Sequence, residues 1–320
     1  MPSRAWRKIL ALHLGVLVAL GLLQFVLPAY HHTNVARIMV LAAYAAGYNV
    51  LLGYTGLMSL GHAMFFAAGM YGAGLPVYYL GLGAPAAFAS GLASGAALAL
   101  AFGLLALRTS GPSFLIVSMM FGQALFLVTL YFNDVTLGDQ GFILSEKLRP
   151  LSVGGASLGF HEPAVKYNLA LALFAGSLAV TLVLRLSAVG RVLLGIRENE
   201  ERTRLLGYDS FRYKLVSLAL SGALSGAAGA GYALLFSYVG STFASILFSI
   251  YPLLWALLGG IGTILGPLVG TALMFYLVDT VSGFTSSYLL FVGAALVALI
   301  LWFPQGILGT VRRRWVPWLP

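Results

Sequence analysis

Residues 38–107 read IMVLAAYAAGYNVLLGYTGLMSLGHAMFFAAGMYGAGLPVYYLGLGAPAAFASGLASGAALALAFGLLAL, and these 70 residues contain no Asp, Glu, Lys or Arg. A helix needs about 20 apolar residues to cross a hydrocarbon core roughly 30 Å thick. The run therefore has room for three membrane spans. Glycine and proline punctuate it near residues 53–61 and 81–85, where the spans are expected to separate.

The same arithmetic extends outward. Residues 9–35 follow Arg4, Arg7 and Lys8 and hold one span ending near Pro28. No small-residue cleavage site closes it and apolar sequence continues beyond it, so it reads as a retained helix and not a signal peptide. Residues 109–133 and 167–184 supply one span each. Residues 215–311 contain a single acid, Asp279, and fit four spans, with breaks near Gly240, Gly266–Pro267 and residues 282–287. The total is ten, or eight if the glycine-rich breaks are re-entrant. The fold class is all-α: a polytopic transmembrane bundle forming a single membrane domain over residues 1–320.

Composition agrees. Hydrophobic residues make up 60% of the 320 and charged residues only 8%, and mean hydropathy is +0.94. Soluble domains carry about 25% charged residues, so a soluble enzyme is excluded. The absence of cysteine excludes disulfides, thiolate zinc sites and iron–sulfur clusters.

The net charge of +9 belongs to loops. With the N-terminus inside, Arg108, residues 191–214 and Arg312–Arg314 all face the cytoplasm, and residues 134–166 face outward. That is the basic-inside distribution expected of a membrane protein. Both termini are then cytoplasmic. Arg37 is the exception. Trp6, Trp302, Trp315 and Trp318 fall at interface depth, where indoles prefer to sit.

Two segments are hydrophilic. The outer one, about residues 133–166, reads as a loop with a short surface helix. The inner one is GRVLLGIRENEERTRLLGYDSFRYK, residues 190–214. A single charged helix is expected over residues 192–206, ended by Gly207.

Several apparent motifs carry no chemistry. Residues 155–159, GASLG, match a nucleophile elbow, but that motif needs a strand–turn–helix setting and a later His. Only His161 follows. His31-His32 has no further ligand near it in sequence. No Gly is followed by Lys, so there is no phosphate-binding loop for ATP. Asp279 is different: as an ionisable residue in an apolar half it is a functional candidate, and as one near the outer end of its span it fits a solvated structural role equally well. No catalytic residue, metal site or cofactor is expected.

The run GYNVLLGYTGLMSLGHAMFF, residues 47–66, is more informative. Its glycines weaken a helix, and a broken helix in a bilayer is tolerated only against protein or a water-filled cavity. Asn49, Thr55, Ser59 and His62 are candidates to satisfy the freed backbone groups. The break either lines a solute path or packs helices closely. Gly259, Gly260, Gly262, Gly266 and Pro267 form a second break, either a gate or a bare turn.

Five blocks in order resemble one family: GYNVLLGYTGLMSLGHAMFF at 47–66, TLGDQGF at 136–142, the charged block through 190–233, LLGGIGTILGPLVGTAL at 257–273 and WFPQGILG at 302–309. From about Arg37 to Gly309 the chain resembles the LivM-type inner-membrane permease of branched-chain amino acid ABC importers. The resemblance implies a bacterial inner-membrane subunit paired with a homologous permease. It also implies two cytoplasmic ATP-binding subunits and a periplasmic substrate-binding protein. The block at 190–214 resembles the loop that docks on the ATPase, making Gly190, Arg191, Arg197, Glu198, Asn199 and Gly207 coupling candidates. The chain departs from the family at Arg202, Thr203 and Leu205, where small residues are usual, and at Asp139-Gln140. Another small solute (a short amide, urea or a sugar) or an ATPase-independent secondary transporter are the alternative readings.

Overall fold

The computed structural model describes residues 3–145, 148, 151–153, 156–160, 162–316 and 318. Its helices, in chain order, begin with α1 (Ser3–Leu23), α2 (Ala29–Thr55), α3 (Ala63–Leu80), α4 (Ala84–Ala106) and α5 (Pro112–Tyr131). The hydrophilic segment that follows carries α6 (Asn133–Thr136), then β1 (Phe142–Ile143), β2 (Leu151–Val153) and β3 (Ala156–Leu158). Next come α7 (Pro163–Leu186), α8 (Ala188–Glu198), α9 (Glu200–Leu205) and α10 (Ser210–Phe236). After β4 (Tyr238–Val239) and a 3₁₀ turn (Ser241–Ala244), the chain ends in α11 (Ile246–Gly259), α12 (Gly266–Ser282), α13 (Tyr288–Trp302) and α14 (Ile307–Arg314).

Each of the ten expected spans corresponds to one of these helices. Seven (α1, α2, α3, α4, α5, α7 and α10) are long and apolar enough to cross a membrane, and α11, α12 and α13 are shorter apolar helices. The chain is therefore an all-α, multi-pass membrane protein. Proline opens α4, α5, α7 and α12 within their first two positions, where its missing N–H costs no intrahelical bond. Left-handed glycines close α2 at Gly56 and α3 at Gly81.

The core sits around α2 and α10. Helix α10 packs on α2, α3 and α4, and α2 also packs on α7, α11 and α12. Small residues make this possible. A Cβ added to Gly69 of α3 would overlap the backbone of Gly226 on α10, and one on Gly95 of α4 would lie 2.6 Å from Gly226 Cα. Three helices thus meet backbone to backbone, the close approach that small residues permit in a membrane.

On the opposite face from the charged loop, β1 pairs antiparallel with β4 (Phe142 with Val239), and β2 with β3 form a small hairpin. The expected short surface helix of this segment is α6. Of the GASLG run, Gly155 lies outside the described residues, as does His161.

The charged segment differs from expectation. The single helix expected over residues 192–206 is two helices, α8 and α9, broken at Asn199. Asn199 is extended (φ −160°, ψ 103°) and its side chain accepts from Arg202 N–H, capping α9. Asn at an N-cap satisfies an otherwise orphan donor, and that local bond outcompetes continuation of the helix.

Candidate functional site: a junction of two helix breaks and a charged foot

The three groups of candidate residues, far apart in sequence, converge at one junction. Helix α2 carries Asn49 and Gly53, then stops at Thr55. Gly56 adopts φ +75° and donates its N–H to Leu52 O. Residues 56–62 run without helix until α3 begins at Ala63. The break therefore starts three residues beyond Gly53, and Gly53 remains helical because it serves a different end. A Cβ there would lie 2.8 Å from Gly262 N and 2.9 Å from Gly262 Cα. Gly53 is the surface against which the second break packs.

Asn49 fastens that contact. Its Nδ2 donates to Thr263 O at 2.9 Å, and its Oδ1 accepts from Gly262 N–H at 2.9 Å. One buried amide thus satisfies a donor and an acceptor of an unwound segment, as buried backbone groups require. Within the segment, Gly260 and Gly262 have positive φ (118° and 75°), and Thr263 Oγ1 donates to Gly260 O at 2.7 Å. Gly266 opens α12 with Pro267 behind it. A Cβ on Gly259 would overlap the Gly266 backbone, and one on Gly260 would lie 2.7 Å from Gly309 N. The second break is thereby clamped between α2 and the start of α14.

The foot reaches the same point. Ser187 caps α8, its hydroxyl accepting from Gly190 N–H at 3.0 Å. Gly190 is tight against the end of α7, where a side chain would overlap Leu184 O. Leu193 and Ile196 bury one face of α8, and Arg197 projects from its last turn. Arg197 Nη1 donates to Gly53 O at 2.6 Å. Its Cγ lies where a Cβ on Gly56 would come within 3.3 Å, and its Nη1 within 3.1 Å of a Cβ on Gly262. A charge-assisted bond of this kind is about twice as strong as a neutral one.

The remaining foot candidates do different things. Arg191 is exposed, donating to Leu186 O at 3.3 Å. Glu198 is exposed. Gly207 has φ +88° and ends α9. Glu200 accepts from Arg204 Nη2 at 2.6 Å and from the nearly buried Lys214, so the foot is stapled to the first turns of α10. Burial pushes the Glu200 carboxyl up, but hydrogen bonds from Lys214 and Ser210 and the charges of Lys214 and Arg204 outweigh it and hold the group below its ordinary value.

The first break is also held from the side. His62 Nε2 lies 2.9 Å from Ser225 Oγ and 3.3 Å from Ser221 Oγ, and Ser221 Oγ donates to Gly47 O at 2.6 Å. Ser217 Oγ donates to Val50 O at 3.3 Å. Tyr48 OH donates to Ser59 O, and Ser59 Oγ accepts from Gly61 N–H. Thr55 Oγ1 returns to Leu51 O within its own helix. Asn49, Thr55, Ser59 and His62 are all buried; the first three bond backbone groups, and His62 meets serine hydroxyls through Nε2 while its Nδ1 has no partner among the described residues.

The serines of α10 were not among the sequence candidates. Their signal is the spacing: Ser217, Ser221 and Ser225 stand four apart and so share one helix face. Of the residues set aside, His31 lies 3.3 Å from Tyr276 OH, His32 stacks on Tyr167, and Asp279 accepts from Tyr30 OH. Lys8 stands 6.0 Å from the Trp318 ring, so the beginning and end of the chain share one face.

Against known proteins, residues 33–301 match the family described as the branched-chain amino acid transport system permease component. The chain belongs to that family. The permease is 29% identical over 293 residues to the high-affinity branched-chain amino acid transport system permease protein LivM of Salmonella typhimurium, covering 86% of this chain and 69% of that one. It is 27% identical over 292 residues to LivM of Escherichia coli, with the same coverage. No solved structure matches the chain significantly.

Proposed function

We propose that this permease is a transmembrane subunit of an ATP-driven importer of branched-chain amino acids (Leu, Ile or Val) in the bacterial inner membrane. It forms half of the translocation pathway beside a homologous permease. Of the two ATP-binding subunits that drive the pair, one docks on α8 and α9 in the cytoplasm, where both termini also lie. A periplasmic binding protein delivers solute to the opposite face.

The observation that carries the reading is the Arg197–Gly53 bond. An element fit for docking, bearing seven charged side chains between Arg191 and Arg204, is tied directly to a helix break in the membrane core. Movement of α8 pulls on the Gly53 carbonyl. Through Asn49 the pull reaches residues 259–267, whose glycines and Pro267 act as hinge or gate. Asn49 holds the unwound backbone of residues 262–263 in register, and Thr55, Ser59 and His62 hold that of residues 56–62. That backbone supplies polar groups to a zwitterionic solute without ionised side chains, as broken helices do in other transporters. ATP-driven closure on the foot then rocks the two helix bundles.

The test is reconstitution with the ATP-binding subunits. Arg197→Ala combined with Glu198→Ala is expected to lower solute-stimulated ATP hydrolysis about tenfold while the protein still inserts. Unchanged coupling removes the docking assignment. If detergent pull-down recovers neither ATP-binding subunits nor a sister permease, the importer reading itself fails.

A further inference from the structure

Beside the junction lies a cavity of about 510 Å³, with Arg197, Arg312 and Arg313 on its wall together with Gln305, Leu257 and Ile261. Neither the Arg197–Gly53 bond nor the proposed docking uses this space. Its charge is one-sided. The salt bridges among the described residues involve only Arg204, Arg212 and Lys214 with Glu200 and Asp209, so none of the three cavity arginines has a carboxylate partner there. Arg185 adds a fourth positive charge nearby, its guanidinium 6.0 Å from the Tyr54 ring. Burial, and then the charges of Arg185 and Arg197, depress the basicity of Arg312. Like charges gathered in a partly desolvated pocket repel one another, and the fold keeps them together at that cost.

Two further features describe the counter-ligand. Planar guanidinium groups bind phosphate oxygens in bidentate fashion. The cavity also stands at the membrane boundary: Trp302 and Trp315 bracket α14 and are strongly exposed, as interface-seeking indoles are. Leu257 and Ile261 give the pocket an apolar wall, suited to the part of a ligand that leads into the bilayer. Basic pockets between membrane helices on a cytoplasmic face hold acidic lipid headgroups.

We infer that Arg197, Arg312 and Arg313 form a binding site for the phosphate of an anionic phospholipid headgroup. The bound lipid offsets one of the cluster's positive charges and fastens α14 to the junction of the two breaks. This site does not depend on the proposed ATPase docking, and its test uses the permease alone. Native mass spectrometry of the detergent-purified protein, titrated with phosphatidylglycerol, phosphatidylcholine or inorganic phosphate, reads it directly. Wild type is expected to hold phosphatidylglycerol at least about tenfold more tightly than phosphatidylcholine. Arg312→Gln with Arg313→Gln abolishes that preference, and Arg212→Gln, on the exposed start of α10, leaves it intact. Competition by millimolar inorganic phosphate identifies free phosphate as the occupant and overturns the lipid assignment. So does equal retention of the two lipids by wild type, a result independent of whether the double variant folds. If the lipid preference survives in the double variant, the arginines do not hold the headgroup and the inference fails.

Discussion

Helices α1 and α2 are almost equally apolar, yet 94% of the residues in a span-length stretch of α2 are buried against 11% in α1. Hydrophobicity barely separates these two helices, because lipid tails are as apolar as leucine. What their glycines and hydroxyls face does: Gly15 of α1 meets nothing within 4 Å, whereas Gly53 of α2 lies against the backbone of Gly262. The buried helices α2, α3 and α10 carry Gly47, Gly53, Gly69, Gly222, Gly226 and the serines at 217, 221 and 225, whereas α1 offers leucine and valine to the outside. Leu14, Val18 and Leu22 of α1 are all strongly exposed. Centre helices are held by backbone proximity and by hydrogen bonds that no lipid can replace. Helix α1 is held by side-chain packing and by Tyr167 OH, which donates to Leu20 O at 2.6 Å.

The contrast is broken most sharply by adding volume. Gly69→Leu puts a side chain into the Gly226 backbone and is expected to destabilise the bundle by about 3 kcal/mol or more. Gly15→Leu in α1 meets nothing within 4 Å and is expected to change nothing measurable. Thermal unfolding in detergent, followed by size-exclusion monodispersity, compares the two. If the pair behave alike, close backbone approach is not what distinguishes centre from rim.

Next in size is the loss of a polar fastening. Asn49→Ala strips the partners from Gly262 N–H and Thr263 O, both buried, and is expected to cost about 2–3 kcal/mol. Thr33→Ala, at the exposed start of the same helix, removes only a 3.5 Å contact to Ala29 O and is expected to cost under about 0.5 kcal/mol. Hydrogen exchange at residues 260–263 gives a sharper readout. The Asn49 variant should lose protection there before the rest of α11 and α12 does, and uniform loss would argue against a local clamp.

Much of this was legible beforehand. The positions of the ten apolar helices follow from where charges are absent and where Gly and Pro stand, because the bilayer permits so few backbone solutions. The two breaks and the foot could also be read, since glycine density and a dense charge run are both conspicuous in so apolar a chain. What could not be read was their meeting point. Gly53 and Gly262 are 209 positions apart, and nothing in either run names the other. Asn199 shows a different limit. As a residue it belonged to the foot, yet its N-cap geometry divides α8 from α9, and the choice between continuing and capping a helix turns on about 1 kcal/mol. Gly53 itself misled, because a glycine in a helix serves either a break or a neighbour's approach. Arg312 and Arg313 read as ordinary basic-inside residues until α14 folds back beside Arg197.

Ionic contacts should contribute least, since they lie where water competes for them, and Glu200 tests this. Its carboxylate is shared by Lys214 and Arg204 at the solvated start of α10, and those partners hold its pKa below the ordinary 4.5. A carboxyl depressed in the folded state contributes its full stabilisation above 4.5 and loses it as pH falls through the lower, folded value. Glu200 keeps 27% of its side-chain surface exposed and its partner Arg204 61%, so screening limits the contribution to about 1 kcal/mol. Between pH 7 and pH 3.5 the wild-type melting temperature should therefore fall slightly more than that of Glu200→Gln, which keeps a hydrogen-bond acceptor but has no proton to gain. The two curves should run parallel above about pH 4.5, and their separation should change only below it. Identical slopes would mean that the foot is held to α10 by the packing of Leu193 and Ile196, and a difference rivalling that of Asn49→Ala would mean that the staple is as dry as the core.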